Sequence, residues 1–420
     1  MDHGPGPTPF ERWLARALGD DAPRHVGSGW ISGVIGVFLG ATAFGAIVVL
    51  HFPDLLTTAD LRARYPLPLM RGLIELTIGV AFLASCLNLL LRRRKTLGLA
   101  GLALALAAVI LGGADVQIRG DFDRTVHFGL DWFLLNLLVF ALVFVPLERA
   151  FPLRPTQHVL RAGWTADLAY FFVNHVGVQL LTFLALWPAM TVAQALGMDE
   201  VSRRVAAQPV WLQVLELMLL ADLVQYWVHR AFHRLPWLWR FHAIHHSIRE
   251  LDWLAGSRLH LVDVVVTRAL VVLPAFVLGF AEPALYAWLV IIALHGVFNH
   301  VNLRFRWRPL ERLLVTPRFH HWHHAVSPAD VNFAVHFPWL DRLFGTHHLP
   351  DGRWPAELGI PGHPVPPGFG SQLLYPLRRG RAAVALLFRN WYLVCKRYYY
   401  LSRWPATRNS VPSARACSSS

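Results

Sequence analysis

Apolar residues fill long stretches of this chain and leave no polar face on any of them. The longest lie at residues 31–50, 73–91, 97–113, 132–147, 168–190, 211–228, 261–280 and 284–301, and few charges interrupt them. Roughly 20 consecutive apolar residues cross a bilayer core, so most of these runs are long enough to span and the shorter ones are marginal. Buried helices of a soluble protein keep a polar stripe toward water. The consistent lack of one here argues against a large soluble fold and predicts an all-α, polytopic transmembrane protein. The first run begins about 30 residues in and has no clear small-residue cleavage site, so it reads as a retained anchor and not a signal peptide.

Composition agrees: 55% of residues are hydrophobic and 15% charged, where a soluble domain carries about 25% charge. Basic loops then set an orientation. Arg92, Arg93, Arg94 and Lys95 separate the second and third runs, and Arg149, Arg154 and Arg161 follow the fourth. Loops rich in Arg and Lys stay in the cytoplasm, which places residue 229 and, after a returning hairpin of the seventh and eighth runs, residue 320 on the cytoplasmic side. The net charge of +13 follows from this bias and from attraction to anionic lipid. No nucleic-acid motif accompanies it, and no nucleic-acid partner is expected. Cys86, Cys395 and Cys417 form no disulfide framework and no CxxC metal motif.

Four segments are expected. Residues 1–30 form a polar lead, and residues 31–150 a membrane module of about four helices without clustered histidines. A proline-rich junction, FPLRP at 151–155, precedes a third segment, residues 155–350. Residues 351–420 form a basic, partly disordered tail containing Lys396 to Tyr400 as KRYYY.

The third segment holds the chemistry. Fifteen of the 22 histidines fall between His229 and His348, mostly in the clusters HRAFH (His229, His233), HAIHH (His242, His245, His246) and HHWHH (His320, His321, His323, His324). Residues three or four apart share a helix face, and neutral imidazole is the commonest side-chain metal ligand. Eight imidazoles in one HxxxH and two HxxHH patterns exceed the four or so that a single zinc takes and suit two metals. His321 occupies a spacer position and is expected to be an outer-sphere or solvent-facing residue. Asp222, seven residues before His229 on the same face, is a candidate acceptor for a ligand's outer N–H, with helix packing or a headgroup role as the alternative. His300 ends the eighth run and is a candidate ligand. His295, deeper in that run, reads as ligand or core histidine, and His260 as an isolated candidate. His336, His347 and His348 read as ligands or loop residues. An all-nitrogen donor set accepts iron, zinc or copper. The lack of cysteine ligands argues against a structural zinc site, and the lack of an ExxH pair argues against the soluble di-iron carboxylate bundle.

Over residues 160–348 the sequence resembles the fatty acid hydroxylase/sterol desaturase superfamily of integral membrane oxygenases. The resemblance rests on ADLVQYWVHRAFH, WRFHAIHHS, TPRFHHWHH and NFAVHFPWLDRLFGT in that order. It implies metal ligation by His229, His233, His242, His245, His246, His320, His323 and His324, with His300 as the additional histidine of the family. SRLH, ending at His260, resembles a frequent R-x-H-P stretch, with Leu261 in place of the proline. The resemblance also implies a di-iron centre (two irons per chain, replaceable by zinc) that uses O2 to hydroxylate or desaturate a membrane lipid. No GxGxxG or HPGG motif is present, so the electrons are expected from a separate redox protein. Two rivals remain open at this stage: a zinc hydrolase built on the same histidines, and a metal carrier, which would place its ligands along the spans and not at their ends.

Overall fold

The computed structural model describes residues 8, 9, 11, 12, 29–58, 66–117 and 128–377. Most of the expected polar lead, and the tail from 378 onward with KRYYY, Cys395 and Cys417, lie outside the described residues. The described chain is helical and has no strand, only isolated bridges such as Pro152 with Leu303.

Among the described residues, the long helices of the first 150 positions are α1 (Trp30–His51), α2 (Leu67–Leu91), α3 (Thr96–Ile110) and α4 (Leu130–Ala150). Small residues let the first three approach closely, as is usual between membrane helices. A Cβ on Gly101 would stand 2.7 Å from the Gly36 carbonyl carbon. At the start of α1, the Gly29 carbonyl accepts the Asn88 side-chain amide at 2.6 Å, which fixes the end of α2 beside it. At the other end of α1, Phe128 N–H donates to Leu55 O at 2.6 Å and Thr58 N–H to Asp131 at 3.0 Å. Helices α1 and α4 are therefore antiparallel, and the end of α4 lies on the side of Arg92.

Phe133, Phe140 and Phe144 join α4 to the remainder by packing with Phe171, Trp253, Leu254, Val301 and Leu303. The fifth apolar run is not one helix. It is divided at Gly177 into α5 (Trp164–Val176) and α6 (Val178–Leu196). The polar pair Asn174 and His175, followed by a glycine, weakens helix continuity there. After α7 (Asp199–Ala206) comes the 25-residue α8 (Val210–Arg234), and Pro236 then restarts the chain as α9 (Pro236–His246). Helices α10 (Leu261–Leu278) and α11 (Glu282–Phe298) form the expected hairpin, turned at Gly279, whose φ of 66° suits glycine. Its turn touches the start of α8 through Ala281 N–H to Gln213 at 2.8 Å, so α11 ends where α8 ends. The eighth run is shorter than expected. Helix α11 stops at Phe298, and the side chain of its capping residue Asn299 donates to Val335 O at 2.9 Å. A short helix, α12 (Pro317–His323), starts at a proline.

Among the described residues, six helices are long and apolar enough to cross a membrane: Trp30–His51, Leu67–Leu91, Thr96–Asp115, Leu130–Ala150, Val210–Arg234 and Leu261–Leu278. The ends of α4, α8 and α11, the start of α10 and the Arg92–Lys95 loop all gather at one end of this bundle.

Candidate metal centre

At that end nine imidazoles meet in two groups. His229, His233, His242, His246 and His323 form the first, and His245, His300, His320 and His324 the second. Within each group the ligand nitrogens lie within 4.8 Å of one another. Helical geometry explains the division. Pairs four apart stay together, as 229 with 233, 242 with 246, and 320 with 324. The intervening positions, His245 and His323, point to the other group because adjacent helix positions diverge by about 100°. Each HxxHH motif thus serves both groups and does not present one face to one ion.

Six of the nine outer ring nitrogens are anchored. Nδ1–H of His229 donates to Phe333 O (2.8 Å), of His323 to Val331 O (2.8 Å) and of His300 to Gly296 O (2.8 Å). His242 donates to Asp263 (2.7 Å), His233 to Asp330 (3.2 Å) and His245 to Arg258 O (3.3 Å). With Nδ1 protonated, each neutral ring turns the Nε2 lone pair inward. His229 and His242 then face each other, Nε2 to Nε2, at 3.1 Å, and His245 faces His300 at 3.2 Å. Two lone pairs cannot hydrogen-bond to each other, so a cation between them fits the donor set. The spacing fits as well: two nitrogens about 2.1 Å from one ion and at right angles are about 3.0 Å apart. His323 Nε2 is buried and has no hydrogen-bond partner.

Burial, reinforced by repulsion from neighbouring imidazoles, pushes the proton affinity of His245, His246, His320 and His324 well below the ordinary histidine value. The same holds for His323, where burial again dominates. These five rings are neutral at physiological pH, the form that binds metal.

Seven candidates fall outside both groups, His336, His347 and His348 among them. Asp222 meets no ligand imidazole. Its carboxylate accepts the backbone N–H groups of Val335 (2.9 Å), His336 (3.1 Å) and Phe337 (2.6 Å). It therefore acts one step further out, on the loop whose Phe333 carbonyl holds His229, because three converging N–H groups satisfy a buried carboxylate better than one ring. His260 caps α10, accepting from Val262 N–H at 3.1 Å and donating to Leu373 O at 3.2 Å. His295 donates to Val315 O (2.8 Å) and accepts from His336 Nδ1 (2.7 Å), so it is a core histidine. His321 is 2% exposed and donates to Val301 O at 3.1 Å. It is outside both groups, as its spacer position implied, and of the two alternatives left open there the solvent-facing one fails, because the chain after His300 folds across it.

Reading the sequence missed Asp263, Asp330 and a buried ion network. Arg161 pairs with Asp167 (2.6 Å) and Asp252 (2.8 Å), and Asp167 also accepts from Arg258, whose carbonyl holds His245. Asp263 had one visible signal: it is the acidic residue of the first turn of α10, three positions after His260.

Six bilayer-length helices with nine inward-facing histidines at one end mark a multi-pass membrane protein built around a histidine cluster able to hold metal. A fatty acid hydroxylase family model matches residues 214–346, a span that includes all nine. Ornithine lipid hydroxylase OlsE of Rhizobium tropici is 30% identical over 281 residues, 65% of this chain and 82% of that protein. Methylsterol monooxygenase 2-2 of Arabidopsis thaliana is 27% identical over 225 residues, 51% of this chain and 83% of that protein. Very-long-chain aldehyde decarbonylase GL1-11 of Oryza sativa subsp. japonica is 29% identical over 256 residues, 57% of this chain and 93% of that protein. The chain belongs to the fatty acid hydroxylase/sterol desaturase superfamily. No solved structure matches it.

Proposed function

We propose that this protein is a membrane oxidoreductase that uses O2 to oxidise a C–H bond of a lipid, by hydroxylation or desaturation, at two irons held by the nine histidines. The observation that carries this reading is the pair of adjacent imidazole groups with lone pairs turned inward, in a chain whose relatives include a lipid hydroxylase and a methylsterol monooxygenase. Bound iron would supply the activation of O2, which nitrogen-ligated iron with open positions supports. The protein's own share is to fix the rings. Asp263, Asp330 and the carbonyls of Phe333, Val331 and Arg258 hold the outer protons, and burial disfavours the charged form of His245, His246, His320, His323 and His324. For hydroxylation the balance is one C–H, O2, two electrons and two protons, giving one C–OH and one water. The electrons come from a separate redox partner, because the chain carries no nucleotide or haem motif.

We place the site on the cytoplasmic face, since the Arg92–Lys95 loop lies at the same end of the bundle. The zinc-hydrolase rival has no support among the relatives. The decisive experiment is metal analysis of gently purified protein, combined with lipid profiling of cells with and without the gene under 18O2. About two transition metals per chain and an oxygen-dependent change in lipids are expected. An anaerobic change of the same kind, or no bound transition metal, overturns the reading.

A further inference from the structure

Beside the histidine groups, where α4 meets the proline-rich junction, a cleft of about 340 Å3 is lined by Glu148, Arg149, Arg154, Gln157, Asp252 and Asn302, among others. Its acids are already committed. Glu148 accepts the backbone N–H of Trp253 (2.8 Å) and of Asn302 (2.9 Å), and Asp252 is paired with Arg161 at 2.8 Å. Its two arginines are not. Arg149 and Arg154 form no ion pair and no side-chain hydrogen bond among the described residues.

The cleft is tied to the metal centre through Asn302. That side chain accepts Arg154 N–H at 2.9 Å and donates to Arg154 O at 3.2 Å, and its own carbonyl accepts Leu153 N–H at 3.2 Å. Two residues earlier the same segment carries His300, one of the nine imidazoles. One short stretch of chain thus has the metal centre on one side and two uncommitted guanidinium groups on the other.

The position matters equally. Helix α4 is a candidate span that ends at Ala150, so a cleft at its end lies at headgroup depth, where arginines meet anionic lipid. Guanidinium binds phosphate and carboxylate by paired hydrogen bonds. A neutral sterol hydroxyl would leave both charges uncompensated.

We propose that this cleft binds the anionic headgroup, phosphate or carboxylate, of the lipid that is oxidised at the histidine centre. The substrate class is then an acidic-headgroup lipid and not a sterol. The role of the bound lipid rests on the function proposed above, but its binding does not.

The test uses full-length protein in neutral detergent and isothermal titration with dihexanoyl phosphatidic acid, N-octanoylglycine, dihexanoylglycerol and inorganic phosphate. An anionic lipid is expected to bind and dihexanoylglycerol is not. The double variant R149A/R154A weakens that binding by roughly tenfold or more, at unchanged metal content and helicity. R93A/R94A, which removes equal charge elsewhere, leaves it intact. Equal binding by R149A/R154A overturns the proposal, as does equally tight binding of dihexanoylglycerol. Inorganic phosphate binding as tightly as the lipid shows a free-anion site and also overturns it.

In cells, R149A/R154A should lose the oxygen-dependent lipid product. Product at unchanged substrate KM would show that the cleft holds a bilayer lipid and not the substrate. A rise confined to the KM for the electron donor would show a docking site for an acidic protein. Either result overturns the assignment. Wild type that binds as expected but forms no oxygen-dependent product overturns the proposed function and leaves the headgroup site standing.

Discussion

Asp263 accepts the Nδ1–H of His242 across 2.7 Å, and both side chains are buried. The carboxylate fixes which nitrogen of the ring faces the metal and makes that nitrogen more basic. Removing such a partner commonly lowers metal affinity by about 10–100-fold. Asp263→Ala is expected to fall in that range when titrated with iron or zinc in competition with a chelator. Asp263→Asn, whose amide oxygen can still accept the proton, should recover part of the loss. Unchanged affinity in both variants would show that the His242 side of the site is held by packing alone.

His321 and His323 are two residues apart and do different work. His323 lies in the first group with an unpartnered Nε2, and His321 donates to Val301 O away from both groups. His323→Ala should abolish activity and reduce bound metal while membrane insertion persists. His321→Ala should keep its metal and part of its activity, but lose about 1–3 kcal/mol of stability through the orphaned carbonyl. Metal analysis of both variants checks this, and equal metal loss would place His321 inside the centre.

Helix ends give a topological expectation. The Arg92–Lys95 loop, the end of α4 and the end of α8 share one end of the bundle, so reporters inserted near Arg94 and near Arg240 should report the same compartment, the cytoplasm by the positive-inside bias. Opposite compartments would mean that the first three helices pack against the rest in another direction. A reporter near Asp121, expected on the far side, tests a position outside the described residues.

What the sequence disclosed follows from interaction range. The HxxxH and HxxHH spacings act within one or two helical turns, and a linear reading captures such local relations. The apolar runs were equally plain, because spanning depends on length and composition. The break at Gly177 was harder to see, since two polar residues and a glycine barely interrupt an apolar average. The partners of the rings could not be read at all. Asp263 lies 21 positions from His242, Asp330 lies 97 from His233, and the Phe333 carbonyl lies 104 from His229. Contacts across such separations leave no periodic trace, and a backbone carbonyl leaves no trace in side-chain identity. Asp222 misled for the same reason: its heptad spacing to His229 is local, but the three N–H groups it satisfies come from the far end of the domain.

Acid should unfold the metal-free protein over a defined window. His336, outside the spans and away from both groups, has its pKa lowered to about 4 by burial, and His321 is lowered to about 3, chiefly by burial and then by His300. The buried ligand imidazoles shift in the same direction. A lowered folded-state pKa means that below pH 6.5 the unfolded chain binds more protons than the folded one, so stability falls as pH falls. The contribution is complete above about pH 6.5 and is lost progressively toward the folded values near 4 and 3. Each such histidine costs about 1.4 kcal/mol per pH unit within its window. Thermal melts of chelator-treated protein between pH 7.5 and 4.5 should therefore show a Tm that is flat above about 6.5 and drops steeply below it. His336→Phe, which keeps a ring but cannot take up a proton, should make the slope shallower. A Tm that rose on acidification would mean that these rings gain protons on folding, which their burial opposes.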